Sequence, residues 1–339
     1  MTPPTVGLTV FGCGPDEAAR FEQLGPRFGV RPTVTSRSVA DGRVPSAGID
    51  RCISVDHTSP VDGQALRALR RAGVEHVSTR SIGLDHVDLA AARALGIAVE
   101  NVVYAPDGVA DYTVMLILMA IRDISGIVEA ARRQDFRPRS HRAPDLRDMT
   151  VGVVGAGSIG LAVIRRLQGF GCRVVVCSTA RPPVAAELVA LDALLRESDV
   201  VTLHLPLTPE TRHVIDGERL AAMKRGAFLI NTGRGALVDT GALITALESG
   251  RLGGAALDVI EGEEGVFYVD HRASPVVHDG LRTLQRLPNV TVTPHTAYFT
   301  ERALRDTVEG ALVRCRRFEN ERRGGRVETE GRDLVRGLL

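Results

Sequence analysis

Three short polar runs in this sequence each follow an apolar segment, and each carries one side chain suited to proton or carboxylate chemistry. Arg234 sits in Asn231-Thr232-Gly233-Arg234-Gly235, Glu263 in Asp258-Val259-Ile260-Glu261-Gly262-Glu263-Glu264, and His295 in Pro294-His295-Thr296-Ala297-Tyr298. An arginine presents a planar fork to carboxylate and carbonyl oxygens, which lysine cannot match. A histidine can deliver a proton near neutral pH. A carboxylate beside it favours the imidazolium and fixes the tautomer. A carboxylate clamp, a proton donor and an acid partner are what hydride addition to the ketone of a 2-oxo acid requires. Glu261 and Glu264 compete with Glu263 for the acid's part, and the spacing from Asp258 favours Glu263. Singly, the three read as a surface arginine, a solvated glutamate and a hydrogen-bonded histidine. Only a fold that brings them together makes a site of them.

A parallel sheet does this, because ligands bind beyond the carboxyl ends of its strands. The three runs follow strand-like segments at 227–230, Gly254–Leu257 and 290–293. Upstream, Met149-Thr150-Val151-Gly152-Val153-Val154 reads as a strand and Gly155-Ala156-Gly157-Ser158-Ile159-Gly160 as a glycine turn. Leu161, Val163, Ile164 and Leu167 then recur at helical spacing. In that setting G-x-G-x-x-G is a dinucleotide site. Gly155 permits the tight turn, Gly157 lets the backbone approach a pyrophosphate, and Gly160 lets helix and strand pack closely. Ser158 and Ile159 open the helix whose N-terminus holds the phosphates. Further strands are expected at Arg173–Cys177 and Val200–Leu203. A helix is expected after Asp239 or Thr240, with Leu243, Ile244 and Leu247 on one face and Gly250 past its end.

A weaker opening comes first. Thr5-Val6-Gly7-Leu8-Thr9-Val10-Phe11 leads into Gly12-Cys13-Gly14, but Glu17 stands where the third glycine would be. It begins an α/β domain that need not bind a nucleotide. Strands at Cys52–Val55, His76–Thr79 and 97–99 alternate with helical stretches at 64–72 and 89–95, which implies a parallel sheet covered on both faces. An arginine-rich helix from Thr300 to about Arg323 can pack back on this domain, and the tail from Gly324 is expected to fray. The expected fold is α/β, with two Rossmann-like or flavodoxin-like domains built on parallel sheets and the active site in the cleft between them. Residues 1–103 with 300–339 would form a discontinuous substrate domain, and 104–299 the dinucleotide-binding domain.

Composition excludes several classes. At 339 residues and net charge +1, the chain offers no basic field for nucleic acid. Its longest apolar run, 114–121 within an expected helix over 109–122, is too short to span a bilayer. That helix is apolar enough for the core of a homodimer or for burial within one chain. No signal segment is evident, and the five cysteines (Cys13, Cys52, Cys172, Cys177, Cys315) lack a C-x-x-C, so free thiols in a reducing cytoplasm are expected. No metal site is expected. Lys224 is the only lysine, which leaves lysine chemistry one possible position.

These motifs, with Leu237-Val238-Asp239, Gly254-Ala255-Ala256-Leu257-Asp258-Val259 and Thr293-Pro294-His295-Thr296-Ala297, resemble the D-isomer-specific 2-hydroxyacid dehydrogenase family over nearly the full length. The resemblance implies that Arg234 binds substrate, Glu263 is the partner carboxylate and His295 the general acid/base. It also implies that the backbone N–H groups of Ile82 and Gly83 hold the substrate carboxylate, with Tyr104 and Tyr298 beside it. Leu205, Pro206, Thr211, Thr232, Gly233, Arg234 and Asp258 would line the cofactor site with the glycine turn. Glycerate-type members follow the glutamate with a short proline-rich loop. Here Gly265-Val266-Phe267-Tyr268-Val269-Asp270 opens an insertion reaching Pro288, and Tyr298-Phe299 follows the histidine, as in D-lactate dehydrogenases. Within that branch, Ser78-Thr79-Arg80-Ser81-Ile82-Gly83, Val109-Ala110-Asp111-Tyr112-Thr113 and residues 223–258 resemble the enzyme of vancomycin-resistance gene clusters, which reduces pyruvate for a D-alanine–D-lactate ligase. Larger 2-oxo acids, or a corepressor-like nucleotide sensor, are the alternatives.

One departure bears on the cofactor. NAD sites usually place an acid about 20 residues past the glycines. The corresponding stretch here is Cys177-Ser178-Thr179-Ala180-Arg181. Ser178, Thr179 and Arg181 could accept a 2′-phosphate, so NADPH is expected to serve at least as well as NADH.

Overall fold

The computed structural model describes residues 5–41, 48–138, 142–179, 183–184, 186–322 and 324. Segments of two to five residues pair into two all-parallel sheets. The first contains β1 (Val6–Val10), β2 (Val30–Val34), β3 (Cys52–Val55), β4 (His76–Thr79) and β5 (Ala98–Asn101), in the order β2-β1-β3-β4-β5. Every residue of β3 and β4 is buried, the signature of a parallel sheet covered on both faces. β2 escaped the sequence reading because Pro32 interrupts it, and its place is the sheet edge, where proline is tolerated.

Helix Glu301–Arg322 returns to this first sheet. Its Val308, Ala311, Leu312 and Cys315 share a core with Leu8, Val10, Phe21 and Cys52. The described residues accordingly divide into one unit up to Ala105 and again from Phe299 through the helix ending at Arg322, and a second unit spanning Pro106–Tyr298. The fraying expected of the tail concerns positions beyond the described residues.

The second unit holds β6 (Thr150–Val154), β7 (Arg173–Cys177), β8 (Glu187–Leu188), β9 (Val200–Leu203), β10 (Phe228–Asn231), β11 (Gly254–Leu257) and β12 (Val290–Val292). Their order is β12-β11-β10-β9-β6-β7-β8, so the winding reverses between β6 and β9, where doubly wound sheets open a crevice. Val154 pairs with Leu203, Asn231 with Leu257, and Leu257 with Val292. The strands therefore end level, and the loops after them emerge side by side. Helix Asp107–Ile121 buries Ala110, Leu116, Ile117 and Ile121 against Val151, Val153, Ile164 and Leu167.

Aspartates cap four of the short helices. Asp62, Asp88, Asp216 and Asp239 accept from the backbone N–H groups of Ala65, Ala91, Arg219 and Ala242, each cap contributing about 1 kcal/mol. At the amino ends of the strands, Lys224 Nζ pairs with Asp199 Oδ1 at 2.9 Å, while Asp199 Oδ2 accepts from the Thr150 N–H at 2.8 Å. Among the described residues, no helix is long and apolar enough to cross a membrane.

Candidate active site

The glycine turn joins β6 to helix Ser158–Gln168, and each glycine meets a different constraint. Gly155 has φ +96°, and a Cβ there would stand 2.5 Å from the His204 carbonyl oxygen. A Cβ on Gly160 would lie 2.1 Å from the Gly155 carbonyl oxygen, which fixes the close approach of helix to turn. A Cβ on Gly157 would meet nothing within 4 Å. Packing demands glycine at 155 and 160, whereas 157 borders open space before the helix N-terminus. Ser158 and Ile159 form the first turn, whose free N–H groups and positive dipole end suit a diphosphate. The residues present thus fit a dinucleotide.

The neighbouring loops complete that edge. Ser178 and Thr179 follow β7 directly; Arg181 lies outside the described residues. Leu205 packs against the core beside Gly155, and the Pro206 carbonyl accepts from Thr211 Oγ1 at 2.7 Å, so Thr211 ties its turn together. Burial holds the His204 imidazole neutral, its pKa lowered to about 4. The Thr232 and Thr113 hydroxyls share a 2.8 Å hydrogen bond.

Arg234, Glu263 and His295 follow β10, β11 and β12, three adjacent strands. Asn231 shapes the arginine's turn: its Oδ1 accepts from Gly233 N–H at 3.0 Å and its Nδ2 donates to the Arg234 carbonyl at 2.9 Å. Arg234 Nη1 donates to the Gly233 carbonyl at 2.9 Å. A Cβ on Gly235 would sit 2.0 Å from the Ile260 carbonyl carbon, so the arginine loop lies flush on the loop that carries Glu263.

His295 is held from several directions. Its Nδ1 is 2.6 Å from Glu263 Oε1, and Glu263 Oε2 accepts from the Ile260 N–H at 2.8 Å. The backbone of His295 is left-handed, with φ +52°, and its N–H donates to the Asp258 carbonyl at 2.7 Å. The fully buried Asp258 carboxylate accepts from Thr293 Oγ1, Thr296 N–H and Ala297 N–H at 2.6, 3.0 and 2.8 Å. Asp258, expected beside the cofactor, thus organises the histidine loop. The ring of Tyr298 stands edge-on to the imidazole, 6.1 Å between centroids.

Of the three glutamates that could have partnered His295, only Glu263 reaches it. Glu261 is taken by His213 Nε2, at 2.9 and 3.0 Å from its two oxygens, and by Arg212 at 2.5 Å, while Glu264 is exposed. Sequence reasoning missed this second histidine–carboxylate pair, and also Tyr268, whose hydroxyl donates to the His295 carbonyl at 2.8 Å.

Ile82, Gly83 and Tyr104 belong to the first unit. There Asn101 Nδ2 donates to the Ile82 carbonyl and Ser81 Oγ to the Gly83 carbonyl, both at 2.7 Å, which orients the peptide planes of that loop.

The NAD-binding-domain model of the D-isomer specific 2-hydroxyacid dehydrogenases matches residues 114–297. A D-specific alpha-keto acid dehydrogenase of Enterococcus faecium is 54% identical over 93% of this chain and 97% of that protein. An aromatic 2-oxoacid reductase of Clostridium sporogenes is 34% identical over 90% of this chain and 94% of its own. Among solved structures, D-lactate dehydrogenase from Aquifex aeolicus, complexed with NAD and lactic acid, aligns with a TM-score of 0.81 at 29% identity, covering 94% of this chain and 96% of that one. The chain belongs to the D-isomer specific 2-hydroxyacid dehydrogenase family, whose members are NAD-dependent oxidoreductases.

Proposed function

We propose that this protein reduces a small 2-oxo acid, pyruvate foremost, to the D-2-hydroxy acid with NADH or NADPH. The observation that carries the reading is the 2.6 Å contact between His295 Nδ1 and Glu263 Oε1. With Nδ1 bound to a carboxylate, Nε2 is the nitrogen assigned to proton transfer, and the charge on the ring is compensated while it holds the proton. The nicotinamide, when bound, supplies the hydride to the keto carbon. His295 Nε2 delivers the proton to the carbonyl oxygen as it gains negative charge. Arg234 clamps the carboxylate and that oxygen by its fork. The D configuration rests on family membership.

In a finer reading, which rests on the motif resemblance of residues 78–83, 109–113 and 223–258, the product is D-lactate for D-alanine–D-lactate cell-wall precursors in vancomycin resistance. The E. faecium relative, a D-specific alpha-keto acid dehydrogenase, supports the keto acid chemistry. The C. sporogenes relative favours an aryl 2-oxo acid instead. Turnover of pyruvate, 2-oxobutyrate, 2-oxoisocaproate and phenylpyruvate, with product chirality, separates the two. D-lactate from pyruvate as the fastest reaction is the expected result, and preference for phenylpyruvate overturns the substrate. Cofactor binding without turnover on any 2-oxo acid points to a corepressor-like sensor. His295→Gln is expected to slow reduction about 10²–10⁴-fold, and an unchanged kcat removes it from the mechanism. Ser178 and Thr179 after β7, with no acid there, support use of NADPH at least as well as NADH; a strong NADH preference in kcat/KM refutes it. Exposed Met115, Ile124, Ile127 and Val128 support a homodimer, and the free cysteines support a reducing, cytoplasmic setting.

A further inference from the structure

The insertion at 265–288 accounts for none of the chemistry above, yet it begins two residues after Glu263 and reaches His295 through Tyr268. The Glu263 carbonyl accepts from the Val266 and Phe267 N–H groups at 2.9 and 3.0 Å, folding 263–267 into a compact turn. His271 Nε2 donates to the Val266 carbonyl at 3.0 Å, and buried Phe267 anchors the turn in the core of the second unit. Tyr268 comes next, with φ +65°, a left-handed conformation that costs a non-glycine residue energy and persists only where surroundings enforce it.

We infer that Tyr268 is a positioning residue for His295: one turn grips the histidine twice, by the Glu263 carboxylate on its imidazole and by the Tyr268 hydroxyl on its backbone carbonyl. The second grip acts on a residue that is itself left-handed, so it holds a strained backbone in register with the carboxylate. The Tyr268 hydroxyl also shares a hydrogen bond with Tyr298. Its one proton goes to the His295 carbonyl, so the Tyr298 hydroxyl is the donor between them. Tyr268 thus also orients the ring that stands edge-on to the imidazole. Partial burial, then Tyr298 and the carboxylates of Glu263 and Asp258, push its ionisation above the ordinary tyrosine range, so it remains a donor at every working pH.

The inference rests on His295 as proton donor in the proposed reaction. Its test is Tyr268→Phe, which keeps the ring and removes the proton. Loss of one such hydrogen bond is expected to lower kcat about threefold to tenfold. KM for NADH and the melting temperature should not change. In the cofactor-free protein, the NMR resonance of the His295 Nδ1 proton should move upfield as its contact with Glu263 lengthens. An unchanged kcat with an unmoved resonance overturns the proposal. So does a loss of kcat matched by falling melting temperature and rising NADH KM, which marks a merely structural role. If the unmodified protein reduces no 2-oxo acid, the proposed function fails, and the resonance alone decides on Tyr268.

Discussion

The chain opens a strand into a glycine turn and a helix twice, and the two openings are put to different ends. After β1, Gly12 adopts φ +60° and helix Pro15–Leu24 follows; after β6, Gly155 adopts φ +96° and helix Ser158–Gln168 follows. At the first, the chain fills the space itself. Arg80, whose side chain is 2% exposed, pairs with Glu17 at 2.6 Å and donates to the Phe11 and Gly12 carbonyls at 2.7 and 3.0 Å. At the second, Gly157 faces open space. The backbone motif is common property of α/β sheets. What separates the two is the third position of the turn: Gly160 lets the second helix close on the Gly155 carbonyl, whereas at the first opening Glu17 stands there and pairs with the buried Arg80.

The sharpest break of this comparison is Gly160→Val, which drives a side chain into the Gly155 carbonyl. It should cost more than about 4 kcal/mol and deprive the second unit of a cooperative melt; a normal melting curve would refute the packing argument. Next comes Glu17→Gln, which leaves Arg80 buried without its counter-charge. About 3 kcal/mol should be lost in urea titration, while NADH affinity stays put. A matching loss of affinity would mean that the first opening takes part in cofactor binding after all. Smaller is the acid limb set by His204. Its folded pKa of about 4 lies below the unfolded value near 6.5, so the unfolded chain takes up its proton first as pH falls. Stability is full above about pH 6.5 and declines toward pH 4, by about 2 kcal/mol for a side chain that water partly reaches. His204→Asn should flatten that slope, and an identical slope excludes the assignment. The mildest change is Gly157→Val, which has room for its side chain. Melting should be unaltered and the NADH Kd raised about tenfold, or about 1.4 kcal/mol; equal affinity would place the phosphates elsewhere.

What could be read from sequence follows the same division. β6 and its glycine turn, and the central strands β3, β9 and β11, were legible because burial leaves largely apolar runs between turn residues. The two-residue edge strand β8 and the proline-bearing β2 were not, since edges carry little apolar signal. Helix Asp279–Arg286 was hidden because its cap is a histidine: His278 Nδ1 accepts from the Leu281 N–H. In the site, residue types located Arg234, Glu263 and His295, and spacing from Asp258 favoured Glu263 over Glu261 without giving the physical reason. That choice depends on His213, which is left-handed at φ +50° and reaches Glu261 from 48 residues away. Tyr268 gave no signal either, because its role depends on a hydroxyl meeting a backbone carbonyl.

The pairing of Lys224 with Asp199 has a practical consequence. Apart from the chain terminus, this side chain is the molecule's only primary amine, and it sits at the amino ends of the strands in the second unit. The loops bearing Arg234, Glu263 and His295 leave that sheet at its other end. Among the side chains, an amine-reactive bead or electrode would therefore find one attachment point, at the end of the second sheet opposite the loops of Arg234, Glu263 and His295.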